Sequence, residues 1–274
     1  MNYLKTDGAF LIIDRTIADG IKTSRARRER QREPEDMRCR AAVFDMDGTI
    51  LNTAGDLTDA LNYAMRETGH RHDYTEEQVR GFVGSGIRTA IGRAFDEERR
   101  GLAARQGAAE TELSRSFDAA ETDRVRNVFL PYYETHCDVR TDSYPGIREM
   151  IRALRERGIL TAVVSNKPDA AVKKLAQDYF EGLFDLAVGE QAGIRRKPAP
   201  DMTEKALAAL GIRREEAVYI GDSEVDLETA ANAGLPCIGC AWGFRGAAFL
   251  RAHGAELLAE SAEDVRRIVL GMED

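Results

Sequence analysis

The sequence predicts an α/β protein: a doubly wound, mostly parallel sheet whose first strand is separated from the rest by a long helical insert. Three observations carry that expectation. From residue 147 onward, strand-like apolar runs alternate with segments of helical period, the pattern of crossover connections in a parallel sheet. Acidic or glycine-bearing turns follow the strands, where open α/β sheets bind their ligands. The stretch between the first two strands is long and helical in its apolar spacing.

The first strand, at 41–44, is short and apolar throughout, as expected for a strand covered on both faces. Apolar residues then recur at helical spacing at Leu57, Leu61, Ala64 and Met65, and again at Val125, Val128, Phe129 and Tyr132. Thr75 and Gln78 have capping-box spacing and mark a further helix start. Residues 54–141 are therefore the expected insert, leaving 38–53 and 142–274 as the α/β core. Within that core a helix over 147–157 stops at Gly158, where glycine ends helices readily. Strands at 160–164, 184–188, 217–220 and 237–240 then alternate with helices at 170–179, 202–210 and 227–233. Residues 1–37 read as a leader, disordered or appended, in which Arg25, Arg27, Arg28, Arg30 and Arg32 crowd around Glu29.

Composition narrows the function classes. The 274 residues carry 39 Lys and Arg against 47 Asp and Glu, a net charge of −8. That balance argues against nucleic-acid or anionic-membrane partners, which need a basic footprint. No run approaches the roughly 20 apolar residues of a membrane-spanning helix, and the early run at 9–13 is too short for a secretion signal, so a cytoplasmic location is expected. Four cysteines are too few for a disulfide framework. Cys237 and Cys240, three apart on a strand, should point to opposite faces as buried hydrophobes. His70 and His72 lack neighbouring Cys or His ligands and are expected in a solvated loop, while His136 and Cys137 are expected to pack at a helix end.

The polar residues after the strands carry the chemistry. Asp45 and Asp47 follow the first strand, Ser165 and Asn166 the second, Lys197 a loop after the third, and Asp222 and Asp226 the fourth. Four converging carboxylates require positive charge. Lys197 supplies one unit, and a hard divalent ion such as Mg²⁺, which prefers carboxylate oxygens and bridges to phosphate, is the natural supplement. Gly48 allows backbone N–H groups to approach an anion, and Ser165 offers a hydroxyl donor. Acid, metal, lysine and anion donors together describe phosphoryl transfer, with one aspartate as nucleophile and another as acid and base.

The series VFDMDGT at 43–49, VVSNKP at 163–168, RRKPAPD at 195–201 and GDSEVD at 221–226 resembles the haloacid dehalogenase superfamily of phosphatases, over about residues 38–270. The resemblance implies a Rossmann-like core and assigns Asp45 as nucleophile and Mg²⁺ ligand. It assigns Asp47 as general acid and base, coordinating Mg²⁺ through its backbone carbonyl. Ser165 and Lys197 would bind the phosphoryl group with Asn166 beside them, Asp222 would be the acidic metal ligand, and Asp226 a supporting carboxylate. The dehalogenating branch lacks the second aspartate, so Asp47 disfavours dehalogenation.

The insert occupies the place of the superfamily's helical cap. Its run from Arg80 through Gly84, Ser85, Gly86 and Ile87 resembles the specificity loop of phosphoglycolate phosphatases, with Arg88 a candidate partner for a substrate carboxylate. The run through Ala233-Gly234 to Trp242-Gly243-Phe244-Arg245 resembles the same subgroup. No lysine lies between residues 38 and 166, which excludes the related branch that forms a Schiff base on a cap lysine. The stretch at 97–121, rich in Ala, Arg and Glu, is longer than a minimal cap needs. The resemblance thus implies a Mg²⁺-dependent phosphatase acting on a small phosphorylated metabolite, foremost 2-phosphoglycolate, as a monomer or homodimer. Pyrophosphatase, nucleotidase and β-phosphoglucomutase-like activities are the alternatives within the superfamily. A catalytically silent binding protein is the alternative outside enzymology, and the intact set of acids speaks against it.

Overall fold

The computed structural model describes residues 39–106 and 119–271, so the expected leader and the middle of the 97–121 stretch lie outside the described residues. The chain enters the sheet through β1 (Ala41–Phe44), which is buried throughout. A two-residue strand, β2 (Leu51–Asn52), follows and pairs antiparallel with β3 (Asp142–Ser143). Between these two short strands lie four helices: α1 (Ala54–Glu67), α2 (Glu76–Phe82), α3 (Ile87–Gln106) and α4 (Ala119–His136). The β2–β3 pair thus joins the two chain crossings at the foot of the insert.

The remainder alternates helix and strand: α5 (Ile147–Glu156), β4 (Leu160–Pro168), α6 (Asp169–Phe180), β5 (Leu186–Glu190) and α7 (Asp201–Leu210). It continues with β6 (Ala217–Gly221), α8 (Glu224–Ala233), β7 (Cys237–Cys240), α9 (Gly246–Ala252), β8 (Leu257–Ala259) and α10 (Ala262–Leu270). The strands form one six-stranded parallel sheet in the order β5-β4-β1-β6-β7-β8. β1 lies between β4 and β6, and the order reverses around it, so a crevice opens at the carboxyl ends of these three strands.

Alternation along the strands divides the core. Phe44, Val163, Ile220, Ile238 and Cys240 face the larger cluster, shared with α5, α6, α10 and the insert. Val43, Ala162, Val164 and Tyr219 face the smaller one beneath α7 and α8. Cys237 packs against this second cluster, so the two cysteines lie on opposite faces, and both are free thiols. The capping box at the start of α2 is formed: Gln78 N donates to Thr75 Oγ1 at 3.3 Å, and Thr75 N donates to Gln78 Oε1 at 3.0 Å.

His70 departs from the solvated-loop expectation. Its ring lies between Glu98 of α3, at 3.2 Å, and Glu121 of α4, at 2.5 Å, with its side chain only 11% exposed. The two glutamates come from helices distant in sequence, so local composition gave no sign of them. Among the described residues, no helix is long and apolar enough to cross a membrane.

Phe44 is fully buried on the central strand and meets Phe184 edge-on at 5.9 Å. Phe44→Ala should cost about 3–5 kcal/mol of folding stability by opening a cavity that the rigid sheet cannot collapse. Urea denaturation of the two proteins measures this, and a loss below about 1 kcal/mol would contradict the packing.

Candidate active site

The site follows from adjacency of parallel strands. Phe44 pairs with Val163 and with Ile220, so the residues just beyond these positions are brought together at one end of the sheet. Asp45 follows Phe44, Ser165 follows Val164, and Asp222 follows Gly221. All three are buried. Carboxylate oxygens of Asp45, Asp222 and Asp226 lie within 4.8 Å of one another.

Lys197 enters this group from the loop before α7. Its buried Nζ lies 2.8 Å from Asp45 Oδ1 and 2.8 Å from Asp226 Oδ1. Although burial pulls the ammonium down, Asp226 and Asp45 hold its pKa well above the ordinary lysine value, so it stays charged. Asp226 Oδ2 accepts from Ser223 Oγ at 2.7 Å, Ser223 N at 3.0 Å and Asp222 N at 3.2 Å. Asp226 therefore spends its lone pairs on Lys197 and on its own loop, as a brace does.

Asp222 is fixed from two other directions. Thr49 Oγ1 donates to its Oδ1 at 3.1 Å, and Phe244 N to its Oδ2 at 2.7 Å. Two glycines make room for it. A Cβ on Gly48 would lie 2.3 Å from Asp222 Oδ2, and one on Gly243 would lie 2.1 Å from the Asp222 Cβ. Gly48 also holds φ at +84°, a left-handed value that glycine adopts without strain.

Charge is out of balance. Burial first, and then Asp226, push the Asp45 carboxyl well above the usual carboxylate range despite Lys197. Burial and Asp226 push Asp222 up to about 7. Asp47 makes a fourth carboxylate, with Lys167 Nζ 2.9 Å from its Oδ1. Four acids thus face two lysines, Lys197 and Lys167. A divalent cation would supply the missing two charges, and an all-oxygen donor set suits Mg²⁺. The residues present fit that ion.

Asp47 is held by Thr53 as well, whose Oγ1 donates to Oδ1 at 2.6 Å. Ser165 Oγ accepts from Lys167 N at 3.2 Å, which leaves its hydroxyl proton free to be donated. Asp45, Asp47, Ser165, Asn166 and Lys167 line a cleft closed on the other side by Leu57, Val83, Ile87, Ala90, Phe129 and Leu130 of the insert. Gly84 and Gly86 also line it, whereas Ser85 between them does not.

Three expectations are corrected by these contacts. The Gly48 N–H donates to Leu51 O at 2.9 Å, so it closes a turn instead of facing an anion. The Asn166 amide is fully committed: Nδ2 donates to Gly84 O at 3.1 Å and Lys197 O at 3.0 Å, and Oδ1 accepts from Lys197 N at 2.8 Å. It fastens the insert loop and the Lys197 loop together, with both side-chain N–H donors spent on these carbonyls. Arg88, on α3, is paired with Asp123 of α4 and is absent from the cleft lining.

The insert loop is anchored by Arg245 of the core and by Arg93 of α3, side chains that composition did not single out. Arg245 donates to Arg80 O and, at 2.9 Å, to Val83 O, while its Nε donates to Glu224 at 2.9 Å. Arg93 donates to Gly81 O at 3.1 Å and Phe82 O at 2.9 Å. Lys167 and Tyr133, the latter from α4, are further residues that sequence reasoning missed. Lys167 stood inside VVSNKP without a role, and its place next to Ser165 and Asn166 on the sheet rim was the available signal.

A fold with acids at the switch point of a parallel sheet, under a helical insert, defines a class, and the family comparison agrees. Residues 42–240 match the model of the haloacid dehalogenase-like hydrolases, and the chain belongs to that family. Within it the chain is a phosphatase, as its relatives are. It is 34% identical over 205 residues to a phosphoglycolate phosphatase of Mesorhizobium japonicum, covering 74% of this chain and 82% of that one. It is 32% identical over 210 residues to the N-acetylmuramic acid 6-phosphate phosphatase of Pseudomonas aeruginosa, covering 76% and 84%. A crystal structure of a candidate phosphoglycolate phosphatase from Lactobacillus delbrueckii subsp. bulgaricus superposes with a TM-score of 0.79 at 47% identity, over 86% of this chain and all of that one.

Arg245→Ala removes the donors to two loop carbonyls, each a charge-assisted bond contributing about 1.5–3 kcal/mol. Hydrogen exchange of the amides at 81–86 should then accelerate about tenfold or more, with the sheet amides little changed. Unchanged exchange in that loop would refute the anchoring role.

Proposed function

We propose that this protein is a Mg²⁺-dependent phosphatase of small phosphate monoesters, with 2-phosphoglycolate as its foremost substrate, working through an aspartyl-phosphate. The observation that carries the proposal is the pairing of two differently held aspartates at the end of β1. Asp45 is buried and touches Lys197, whereas Asp47, two residues on, faces the cleft and is held by Thr53 and Lys167.

Lys197 takes Asp45 Oδ1, which leaves Oδ2 for in-line attack on phosphorus. As the new O–P bond forms, the bond from phosphorus to the ester oxygen breaks, and Asp47 gives its proton to that leaving oxygen. Ser165 and Lys197 donate hydrogen bonds to the phosphoryl oxygens. Asp47, now a carboxylate, takes a proton from water. The water oxygen attacks phosphorus, the bond to Asp45 breaks, and inorganic phosphate leaves. Asp45, Asp222 and the Asp47 backbone carbonyl would hold Mg²⁺, which when bound supplies charge that stabilises the phosphoryl oxygens.

The loop resemblance and the phosphoglycolate phosphatase relatives favour 2-phosphoglycolate. The Pseudomonas relative supports a second reading, N-acetylmuramic acid 6-phosphate.

Phosphate release should be measured with and without Mg²⁺ on 2-phosphoglycolate, N-acetylmuramic acid 6-phosphate, pyrophosphate, a nucleoside monophosphate and β-glucose 1-phosphate. Chelation with EDTA should abolish turnover, and Asp45→Asn should lower kcat by about a thousandfold or more, since it removes the covalent nucleophile. Activity of Asp45→Asn within about tenfold of the parent would sink the mechanism. Accumulation of an isomer without phosphate release would point to a mutase.

A further inference from the structure

The expected carboxylate partner, Arg88, is paired with Asp123 away from the cleft. A different cation occupies the cleft. Among the described residues that line it, Lys167 is the one basic side chain, and the insert wall opposite is apolar. Lys167 is 5% exposed, and its ammonium contacts two protein groups, Asp47 Oδ1 at 2.9 Å and the Tyr133 hydroxyl. The Tyr133 ring also lies beneath it, with Nζ 4.5 Å from the centroid. An ammonium has three protons, so one remains for a ligand.

The position relative to Asp47 identifies the ligand's chemistry. Asp47 addresses the leaving oxygen of the substrate, so Lys167, in contact with Asp47, sits beside whatever is bonded to that oxygen. Asp47 and Tyr133 keep the buried ammonium charged, and the apolar wall offers its remaining proton no protein acceptor, so an anionic oxygen on the ligand is the partner that suits it. In 2-phosphoglycolate the carboxylate is attached to the carbon that bears the leaving oxygen. N-acetylmuramic acid also carries a carboxylate, on the lactyl ether at C3, several bonds from the oxygen that bears a 6-phosphate, so the chemistry of the site favours 2-phosphoglycolate of the two.

We propose that Lys167, braced by Tyr133, recognises a carboxylate on the leaving group, so that the preferred substrates are phosphate monoesters of carboxylic acids. This rests on the phosphatase reading above. Tyr133 is the contribution of the insert: it comes from α4, whereas Lys167 comes from β4 of the core. The carboxylate is thus read by a core residue whose position depends on the insert.

The test compares matched substrates that differ in the carboxylate: 2-phosphoglycolate with ethyl phosphate, and N-acetylmuramic acid 6-phosphate with N-acetylglucosamine 6-phosphate. The quantity read is the ratio of kcat/KM within each pair, because loss of Lys167 also disturbs Asp47 and lowers turnover of every substrate. In the parent protein the carboxylate-bearing member should be preferred in at least one pair. Lys167→Met should reduce that ratio by about 10- to 100-fold, the worth of a charge-assisted hydrogen bond, mainly through KM. Tyr133→Phe, which keeps the charge and removes the brace, should reduce it less. In the inactive Asp45→Asn background, 2-phosphoglycolate should raise Tm more than ethyl phosphate does, and this difference should shrink in Tyr133→Phe, a readout that stands even if Lys167→Met does not fold.

Equal losses on both members of the preferred pair in Lys167→Met would overturn the proposal and leave Lys167 as a support for Asp47. Absence of a carboxylate preference in both pairs would overturn it too, with phosphatase activity still measured on the same compounds. Preference confined to the N-acetylmuramic acid pair would reject 2-phosphoglycolate as substrate and support the role of Lys167.

Discussion

A single buried ammonium, shared by Asp45 and Asp226, is the interaction on which the remaining arrangement depends. Neighbouring strands of a sheet run about 4.8 Å apart, so acids placed just past the ends of β1 and β6 cannot avoid one another. Burial makes that proximity severe, as the raised carboxyl pKa values of Asp45 and Asp222 show. Lys197 relieves it by touching two of the acids at once, and Asp226 in turn is tied to the Asp222 loop through Ser223 and the Asp222 N–H. Position of the lysine therefore fixes the relative placement of two strand ends and one helix start. The remaining excess of negative charge is what makes the site receptive to a divalent cation.

The α/β core was largely legible from sequence because most of its strands are short or open on an apolar run, though β8 (Leu257–Ala259) was not foreseen. β1 and β7 have their expected bounds, and the helices before and after β4 begin or end within a residue or two of their expected limits. β4 was underestimated, ending at Pro168 instead of 164, since Ser165, Asn166 and Lys167 are polar yet buried. Hydropathy reads such residues as a loop. The same physical cause hid the roles of the site residues. Strand adjacency placed Asp45, Ser165 and Asp222 at one end of the sheet and the loop before α7 brought Lys197 to them, as motif order suggests, but partner choice is a matter of three dimensions. Nothing near Asn166 in the chain reveals that its amide is spent on Gly84 and Lys197 carbonyls, and nothing near Arg88 reveals Asp123. Lys167 and Tyr133 are a further case, coming from β4 and α4.

The insert meets the core through contacts of two kinds. Side chains of Leu57, Val83, Ile87, Ala90, Phe129 and Leu130 form the apolar wall of the cleft. Polar anchors, Arg245 and Asn166 from the core and Arg93 from α3, hold the loop that carries part of that wall. Thr53, at the start of α1, adds a contact from the root of the insert to Asp47. The acid is thereby linked to the insert at its root through Thr53 and to α4 through Lys167 and Tyr133.

Arg245, Arg93 and Asn166 all grip this loop by its main-chain carbonyls and by none of its side chains. A carbonyl is the same whatever residue bears it. The wall at Val83 and Ile87 can therefore be rewritten by substitution without loosening the fastening that sets its position. Descendants of this scaffold are free to explore new leaving groups by drift in a few apolar side chains, while the backbone that presents them stays in register with the acids below.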